Sequence, residues 1–398
     1  MRLFLAMVSV FFATVVFFCT AARAEPEVSA KAAVVMDLKT GQVLYTKEPS
    51  KRMYPASTTK ILTALVVLQN VRLEDRVKAS SKVVNTEGSA IWLKEGEELA
   101  VSDALYALLL NSANDVAEAL AEKAGGSGEG FAEMMNRAAK ACGATDSNFK
   151  NPHGLPDEGH YTTALDLAKI TRVAMGNRFF REIVATKTKN ITRTSQEDLS
   201  LLINTNKLLW RYEGAIGVKT GYTIEARQCL VAAAERNGRQ LIAVLLGSEG
   251  GVWNEAAVLL DYGFSAYRLV ELVKAGEVVG HFPVDKGVSL VEGKPSRSFW
   301  YNIPADKDPF LLPKWRLKIE PVAAPVAQGK YIGEVIFSNE QGEIGRVGMV
   351  AGNSVAKRSL WPVVSTVFIA ACLAFLGLKI LAAGVRSRRR RSLSFRRG

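Results

Sequence analysis

The chain has 398 residues, 48% of them hydrophobic, so it can bury a sizeable core, and its length favours two domains. The net charge of +12 is concentrated at the ends: Arg2 and Arg23 contribute two charges, Lys379 one and residues 386–398 seven, which leaves +2 for residues 25–378. Because this long middle part is nearly neutral, the composition argues against a nucleic-acid-binding protein.

The N-terminus has the pattern of a secretory signal peptide over residues 1–24. A basic residue precedes a long apolar stretch, and a small-x-small cleavage site ends at Ala24. We therefore expect the part that follows to be exported. An uncleaved membrane anchor is the alternative.

A hairpin is predicted next, with strands at Ala32–Asp37 and Val43–Tyr45 around a turn. The turn contains the tripeptide Lys39-Thr40-Gly41, which we interpret as ordinary turn chemistry.

The tetrapeptide Ser57-Thr58-Thr59-Lys60 follows Pro55 and opens an apolar run with helical spacing, which predicts a largely buried helix over 58–70. Residues three apart share a helix face, so we expect Lys60 beside Ser57. A serine hydroxyl becomes a nucleophile when a base takes its proton. A lysine is such a base only when it is neutral, and apolar surroundings or a second cation favour the neutral amine.

A second candidate motif, Ser112-Ala113-Asn114, lies where a helix breaks. Ser102 is predicted to cap that helix, and the chain resumes helical spacing at Asp115. A hydroxyl at such a break can pass a proton to a departing amine, and the Asn114 amide can hold either Lys60 or a substrate amide.

The third candidate motif, Lys219-Thr220-Gly221, lies in a predicted strand. Lys219 is suited to bind a carboxylate or to lower the pKa of Lys60, and Gly221 would let a substrate backbone approach closely. The other elements predicted for this part are helices at 131–141, 163–175 and 253–267 and strands at 228–234 and 241–246. Helices combined with antiparallel strands indicate an α+β domain.

The loop between the second and third motifs contains His153, Asp157 and His160, which raises the alternative of a metallopeptidase. Only three histidines occur in the chain, and we interpret the two in this loop as structural hydrogen-bonding residues. Cys142 and Cys229 are predicted to be unpaired and buried, and one disulfide between them is the alternative.

Beyond residue 269 the pattern changes to short stretches of alternating polarity separated by Gly and Pro, which predicts a small all-β domain. Its predicted strands are 277–279, 288–290, 316–319, 331–335 and 344–347.

An apolar run from Trp361 to Leu378, extended to Val385, is long enough to span a bilayer. The arginines after it favour a cytoplasmic tail.

The three motifs, in this order, resemble the penicillin-recognising serine peptidases, specifically the low-molecular-mass penicillin-binding proteins that are D-alanyl-D-alanine carboxypeptidases. The resemblance extends to Asn151-Pro152-His153-Gly154 and to the β-rich end and C-terminal anchor. It implies an α+β transpeptidase-like domain (an antiparallel sheet with helices), a small all-β domain and one C-terminal transmembrane helix. The implied segments are a signal peptide at 1–24, a catalytic domain at 25–268, a β-rich domain at 269–357, a transmembrane helix at 358–385 and a basic cytoplasmic tail at 386–398.

The resemblance also implies removal of the terminal D-alanine from peptidoglycan stem pentapeptides through an acyl-enzyme, limiting cross-linking, with β-lactams as inhibitors. Catalytic roles fall to Ser57, Lys60 and Ser112, and substrate binding to Asn114, Lys219, Thr220, Gly221 and Tyr222. Neither a cofactor nor a metal is expected. The alternatives are a DD-endopeptidase of the same family, a β-lactamase-like hydrolase and a non-catalytic wall-binding protein.

Overall fold

The computed structural model describes residues 25–194, 200–306 and 312–394. The predicted signal peptide at 1–24 lies outside the described residues. The chain divides into two compact units, Met1–Val270 with Trp300–Leu312 and Glu271–Phe299 with Pro313–Gly398.

The first unit is built on a five-stranded antiparallel sheet in the order β2-β1-β9-β8-β7. Successive residues of β1 and β9 enter different hydrophobic clusters: Val34 and Val244 join one cluster, while Val35 and Leu245 join the other. Both faces of these strands are therefore covered, which explains their uninterrupted apolar sequences. The strands are β1 (Ala32–Asp37), β2 (Val43–Lys47), β7 (Ala215–Thr223), β8 (Arg227–Arg236) and β9 (Arg239–Ser248).

Helices account for most of the rest of this unit. A 3-10 turn at Ala56–Thr59 leads into α1, in which every residue from Lys60 to Val67 is buried. The helices are α1 (Lys60–Asn70), α2 (Val101–Leu110), α3 (Asn114–Gly125), α4 (Gly128–Ala141), α5 (Ala164–Ala174), α6 (Arg178–Ala185), α7 (Leu208–Arg211) and α8 (Val252–Ala266). Short strand pairs are β3 (Arg76–Lys78) with β4 (Glu98–Ala100), β5 (Thr188–Asn190) with β6 (Leu201–Ile203), and β10 (Tyr267–Val273) with β13 (Phe299–Pro304).

The second unit contains an antiparallel sheet in the order β11-β12-β16-β15-β14. Its core includes Ile332, Phe337 and Met349, all fully buried. The strands are β11 (Gly280–Phe282), β12 (Val291–Pro295), β14 (Lys314–Ile319), β15 (Tyr331–Asn339) and β16 (Gly342–Ala351).

A single long helix, α9 (Trp361–Ser394), ends the described chain. Its first 27 residues, Trp361–Ser387, are long and apolar enough to cross a membrane. Large side chains such as Phe368 and Leu376 are more than half exposed. The helix therefore presents apolar surface that is compatible with membrane anchoring.

The predicted α+β fold, all-β part and apolar C-terminal helix are confirmed, but several local predictions were wrong. Ser102 does not cap α2, which begins at Val101; the first two N–H groups of this helix donate instead to the carbonyls of Asp75 and Leu73. Strands at 277–279 and 288–290 are absent, and strands form just after each of them. Val288 and Leu290 are more than half exposed, so the alternating pattern there did not correspond to burial.

Two cysteine predictions have different outcomes. Neither Cys142 nor Cys229 forms a disulfide, as expected. Only Cys229 is buried, and burial raises the pKa of its thiol to about 12, whereas Cys142 is partly exposed.

Candidate active site

Ser57 lies in the tight turn that precedes α1. Ala56, immediately before it, has a φ of 48°, which is unusual for a residue with a side chain. The Thr58 hydroxyl donates to the Pro55 carbonyl at 2.6 Å, which closes the turn. The turn is a 3-10 segment and not the first turn of an α-helix, so the predicted helix over 58–70 begins two residues later, at Lys60.

Lys60 is fully buried, and its amine lies against the Ser57 hydroxyl, as the three-residue spacing predicted. Nζ is 3.0 Å from Ser57 Oγ, 2.5 Å from Asn114 Oδ1 and 3.0 Å from the His153 carbonyl oxygen. Two of these partners can only accept hydrogen bonds. A neutral amine that donates to both carbonyl oxygens therefore keeps its lone pair for the proton of Ser57.

The electrostatic surroundings of Lys60 favour that neutral amine. Burial, followed by the charge of Lys219, holds the pKa of Lys60 well below its usual range, while Asp115 acts in the opposite direction. Desolvation and a second cation are the two influences that the sequence suggested, and both are present.

Asn114 is fixed in the orientation that this contact needs. Its Nδ2 donates to the Glu87 carbonyl at 2.6 Å, so Oδ1 faces Lys60. Ser112, two residues earlier, occupies the break between α2 and α3 with a φ of 60° and is 6% exposed. Among the described residues, no hydrogen bond occupies the Ser112 hydroxyl, which leaves it available to a reacting group.

Lys219, Thr220, Gly221 and Tyr222 lie on β7, the edge strand of the sheet. Lys219 is 1% exposed, and burial lowers its pKa to about 7. The Thr220 hydroxyl meets the Thr205 hydroxyl at 2.9 Å, while Tyr222 is 63% exposed. The edge strand β7 thus carries a buried amine and a hydroxyl on neighbouring residues, and the Lys219 amine donates to the Thr220 carbonyl at 3.1 Å.

Gly221 is required by the protein itself. A Cβ there would lie 2.9 Å from the Ser57 nitrogen and 3.0 Å from the Ala56 Cβ. The sequence suggested that this glycine lets a substrate backbone approach closely. The structure gives a more direct reason, because β7 packs against the turn that carries Ser57 and leaves no room for a side chain. Gly154 plays a similar part from the other side, since its Cβ would lie 1.9 Å from the Ala56 oxygen.

The two histidines of the loop are held in hydrogen bonds, as predicted. His160 Nδ1 accepts from the Lys150 N–H at 3.2 Å, so its Nε2–H donates to the Thr59 hydroxyl at 3.0 Å. Burial, followed by the charge of His153, lowers the pKa of His160 to about 3, which keeps the ring neutral. Among the described residues, no group of three His, Cys, Asp or Glu side chains could hold a metal ion.

Three groups contact the residues of this site, and the sequence analysis assigned a role to none of them. The His153 carbonyl contacts Lys60, Thr205 contacts Thr220, and Glu118 contacts the His153 ring. The Asn-Pro-His-Gly string marked the first of these as notable, but a backbone carbonyl has no residue-type signal. Thr205 and Glu118 carry no pattern at all.

Comparison with known proteins places the chain in a family. A family model described as D-alanyl-D-alanine carboxypeptidase matches residues 19–250, and one described as the C-terminal domain of penicillin-binding protein 5 matches residues 267–357. The chain is 33% identical to the D-alanyl-D-alanine carboxypeptidase DacF of Bacillus subtilis over 338 residues, which is 83% of this chain and 86% of the relative. It is 29% identical to DacD of Escherichia coli over 359 residues, or 86% and 91% of the two chains.

A solved structure supports the same fold. Penicillin-binding protein 5 from Haemophilus influenzae superposes with a TM-score of 0.71 at 27% identity, covering 84% of this chain and 99% of that one. Fold and comparisons together define a serine hydrolase of the penicillin-binding class. The chain belongs to the D-alanyl-D-alanine carboxypeptidase family, which confirms the resemblance found in the sequence.

Proposed function

We propose that Ser57 is the acylated nucleophile of a D-Ala-D-Ala carboxypeptidase that acts on peptidoglycan stem pentapeptides. Its Oγ attacks the carbonyl carbon of the penultimate D-alanine, and Lys60 Nζ takes the hydroxyl proton. The C–N bond then breaks, the departing nitrogen takes a proton, and free D-alanine leaves. Water hydrolyses the Ser57 ester and releases the shortened peptide.

The contact between Lys60 Nζ and Ser57 Oγ, at 3.0 Å, is the observation that carries this proposal. The amine already has two carbonyl acceptors and a lowered pKa, so it is prepared to act as a base at neutral pH. A buried lysine with no chemical task would be a costly residue at this place.

Ser112 returns the proton to the leaving nitrogen in this proposal, and Asn114 orients Lys60. The Ser112 hydroxyl has no hydrogen-bond partner in the described part of the chain, which supports the first role, and the 2.5 Å contact of the Asn114 amide supports the second.

Lys219 and Thr220 bind the C-terminal carboxylate of the substrate. A cation and a hydroxyl on an edge strand suit a carboxylate at the end of an extended peptide. The backbone N–H groups of Ser57 and Tyr222 stabilise the oxyanion, and Gly221 permits the close packing that brings β7 to Ser57. β-Lactams would acylate the same serine.

The proposed topology places residues 25–268 and 269–357 outside the cytoplasmic membrane. The apolar helix α9, which begins at Trp361 and not at the predicted residue 358, would span the bilayer up to about residue 385, and the arginine-rich tail would remain in the cytoplasm. The apolar surface of α9 and the arginines that follow support this arrangement. Protease added to intact spheroplasts should remove the catalytic domain and leave a tag at the C-terminus protected; cleavage of the tag would contradict it.

The decisive test is the mass of the full-length protein, in detergent, after brief incubation with a penicillin, followed by peptide mapping. We expect one adduct, on the peptide that contains Ser57, and release of D-alanine from a stem pentapeptide. An adduct on another serine, or no adduct without drug turnover, would contradict the proposal. Loss of free drug without an adduct would instead indicate the β-lactamase alternative.

A further inference from the structure

A second buried ionisable pair lies directly behind Lys60. Glu118, on α3, is 8% exposed, and its Oε1 is 3.1 Å from His153 Nε2. The backbone carbonyl of the same histidine accepts from Lys60 Nζ at 3.0 Å. One residue thus connects a buried carboxylate to the amine that faces Ser57.

The hydrogen bonds of His153 fix the protonation of its ring. Nδ1 accepts from the Leu155 N–H at 3.2 Å, so the proton resides on Nε2 and is donated to Glu118. Burial lowers the pKa of His153, although the hydrogen bond to Glu118 opposes the effect. The ring is therefore held at one end by the loop backbone and at the other by the carboxylate.

A buried glutamate at position 118 lowers the stability of the fold, because its carboxylate is removed from water. Burial favours its neutral acid, yet the hydrogen bond and charge of His153, together with Lys82, lower its pKa overall. Its second oxygen, Oε2, is buried with no hydrogen-bond partner among the described residues. A buried carboxylate with one unsatisfied oxygen lowers the stability of the folded protein. Its other contact, the one to His153, therefore calls for a functional reason.

We propose that Glu118 is a positioning residue for catalysis: by holding the His153 ring, it fixes the carbonyl that orients the Lys60 amine toward Ser57. The inference rests on the proposed function, because it assigns a task to the same lysine. Without the carboxylate, the ring loses the acceptor of its Nε2–H, and the 153–155 segment keeps its backbone hydrogen bonds to the Asn151 side chain but loses its side-chain tie to α3. The carbonyl then no longer holds Nζ in a single direction.

The test uses saturation kinetics of acylation by a chromogenic cephalosporin on the full-length protein. These data separate the dissociation constant of the initial complex from the rate constant of the covalent step. Glu118→Met keeps the size of the side chain but removes the acceptor, and we expect the covalent step to slow about tenfold with the dissociation constant unchanged. Glu118→Gln retains an acceptor for Nε2–H and should acylate within about twofold of the wild type.

Glu122→Met is the matched control, since Glu122 lies one turn further along α3 and accepts from the Ser80 hydroxyl. It should acylate at the wild-type rate. Nitrogen-15 spectra of labelled histidine provide an independent readout, because the chain has 3 histidines. The His153 Nε2 resonance should show a hydrogen-bonded N–H in the wild type and in Glu118→Gln, and should lose the signature of that hydrogen bond in Glu118→Met.

Three results would overturn the inference: unchanged acylation in Glu118→Met, an equal loss in Glu122→Met, or a loss confined to the dissociation constant. If the wild type itself forms no adduct on Ser57, the proposed function fails instead, and the two failures are thereby distinguished.

Discussion

The tripeptide Lys-Thr-Gly occurs twice in this chain, and the two copies have opposite surroundings. Lys39 lies in the turn between β1 and β2, is exposed, and places its ammonium 3.3 Å from the centroid of the Trp300 ring. Lys219 is 1% exposed on an edge strand, where burial lowers its pKa to about 7. The same tripeptide therefore carries an exposed lysine in one place and, in the other, a buried lysine whose pKa is lowered to about 7.

The threonine and the glycine of the two tripeptides also have different surroundings. The Thr40 hydroxyl donates to Asp37 at 3.0 Å and completes a turn, whereas the Thr220 hydroxyl meets Thr205 on an open edge. Gly41 is needed for its φ of 74°, while Gly221 is needed because a side chain would collide with the Ser57 turn. The copy at 39–41 completes a local turn, and the copy at 219–221 packs against the turn that carries Ser57.

The largest expected effect concerns Ser57, the serine beside the 219–221 copy. Ser57→Ala should abolish covalent acylation by penicillin and release of D-alanine, because the alanine has no nucleophilic oxygen. Ser354→Ala is the matched control: Ser354 belongs to another Ser-x-x-Lys sequence and accepts from the Gln328 N–H in the β-rich unit. Intact-mass measurement on both proteins checks the prediction, and an adduct on Ser57→Ala would contradict it.

The second prediction separates the two lysines. Lys219→Gln should lower kcat/KM for a pentapeptide about 10- to 100-fold, because a charge-assisted bond to the substrate carboxylate is lost. Lys39→Gln should leave kcat/KM unchanged and affect stability slightly. Steady-state release of D-alanine measures both, and equal losses in the two variants would show that the copies are not functionally distinct.

The third prediction separates the two glycines. Gly221→Ala should slow acylation about tenfold, since the new Cβ would lie 2.9 Å from the Ser57 nitrogen and must displace β7 or the turn. Gly41→Ala should strain the turn, at a cost of about 1 kcal/mol, and leave acylation unchanged. Acylation rates and thermal unfolding together test this; slower acylation in Gly41→Ala alone would reverse the assignment.

The smallest effect is the pH dependence that the buried lysine confers. Since the pKa of Lys219 is lowered to about 7, raising the pH from about 7 to about 8 should reduce its protonated fraction, and with it kcat/KM, about fivefold. The same shift affects stability, because the lysine of the unfolded chain holds its proton up to about pH 10.5. Burial of the charged amine therefore destabilises the folded protein below about pH 7, and this destabilisation declines as the pH rises from about 7 to about 10.5.

Lys219→Gln removes the titrating group, so the decline of kcat/KM above neutral pH should disappear in this variant. A pH profile identical to that of the wild type would mean that another group titrates there.

Much of the fold could be predicted from local pattern. The hairpin, the helix after Pro55 and the strand at 241–246 were recognisable because apolar periodicity reflects burial directly. Prediction failed in the β-rich unit at 288–290, where exposed Val288 and Leu290 imitate a strand. Hydrogen bonds to a partner strand decide such cases, and they join residues that are distant in sequence.

The sequence by itself determined the family, the α+β class and the residue types available for chemistry, because these depend on short motifs and on apolar spacing. Only the tertiary structure decided that β7 packs directly against the Ser57 turn, that a histidine carbonyl contacts Lys60, and that Glu118 contacts the ring of this histidine. The physical reason is that desolvation and hydrogen-bond direction depend on every element packed around a group, and neighbouring residues in the chain supply few of those contacts.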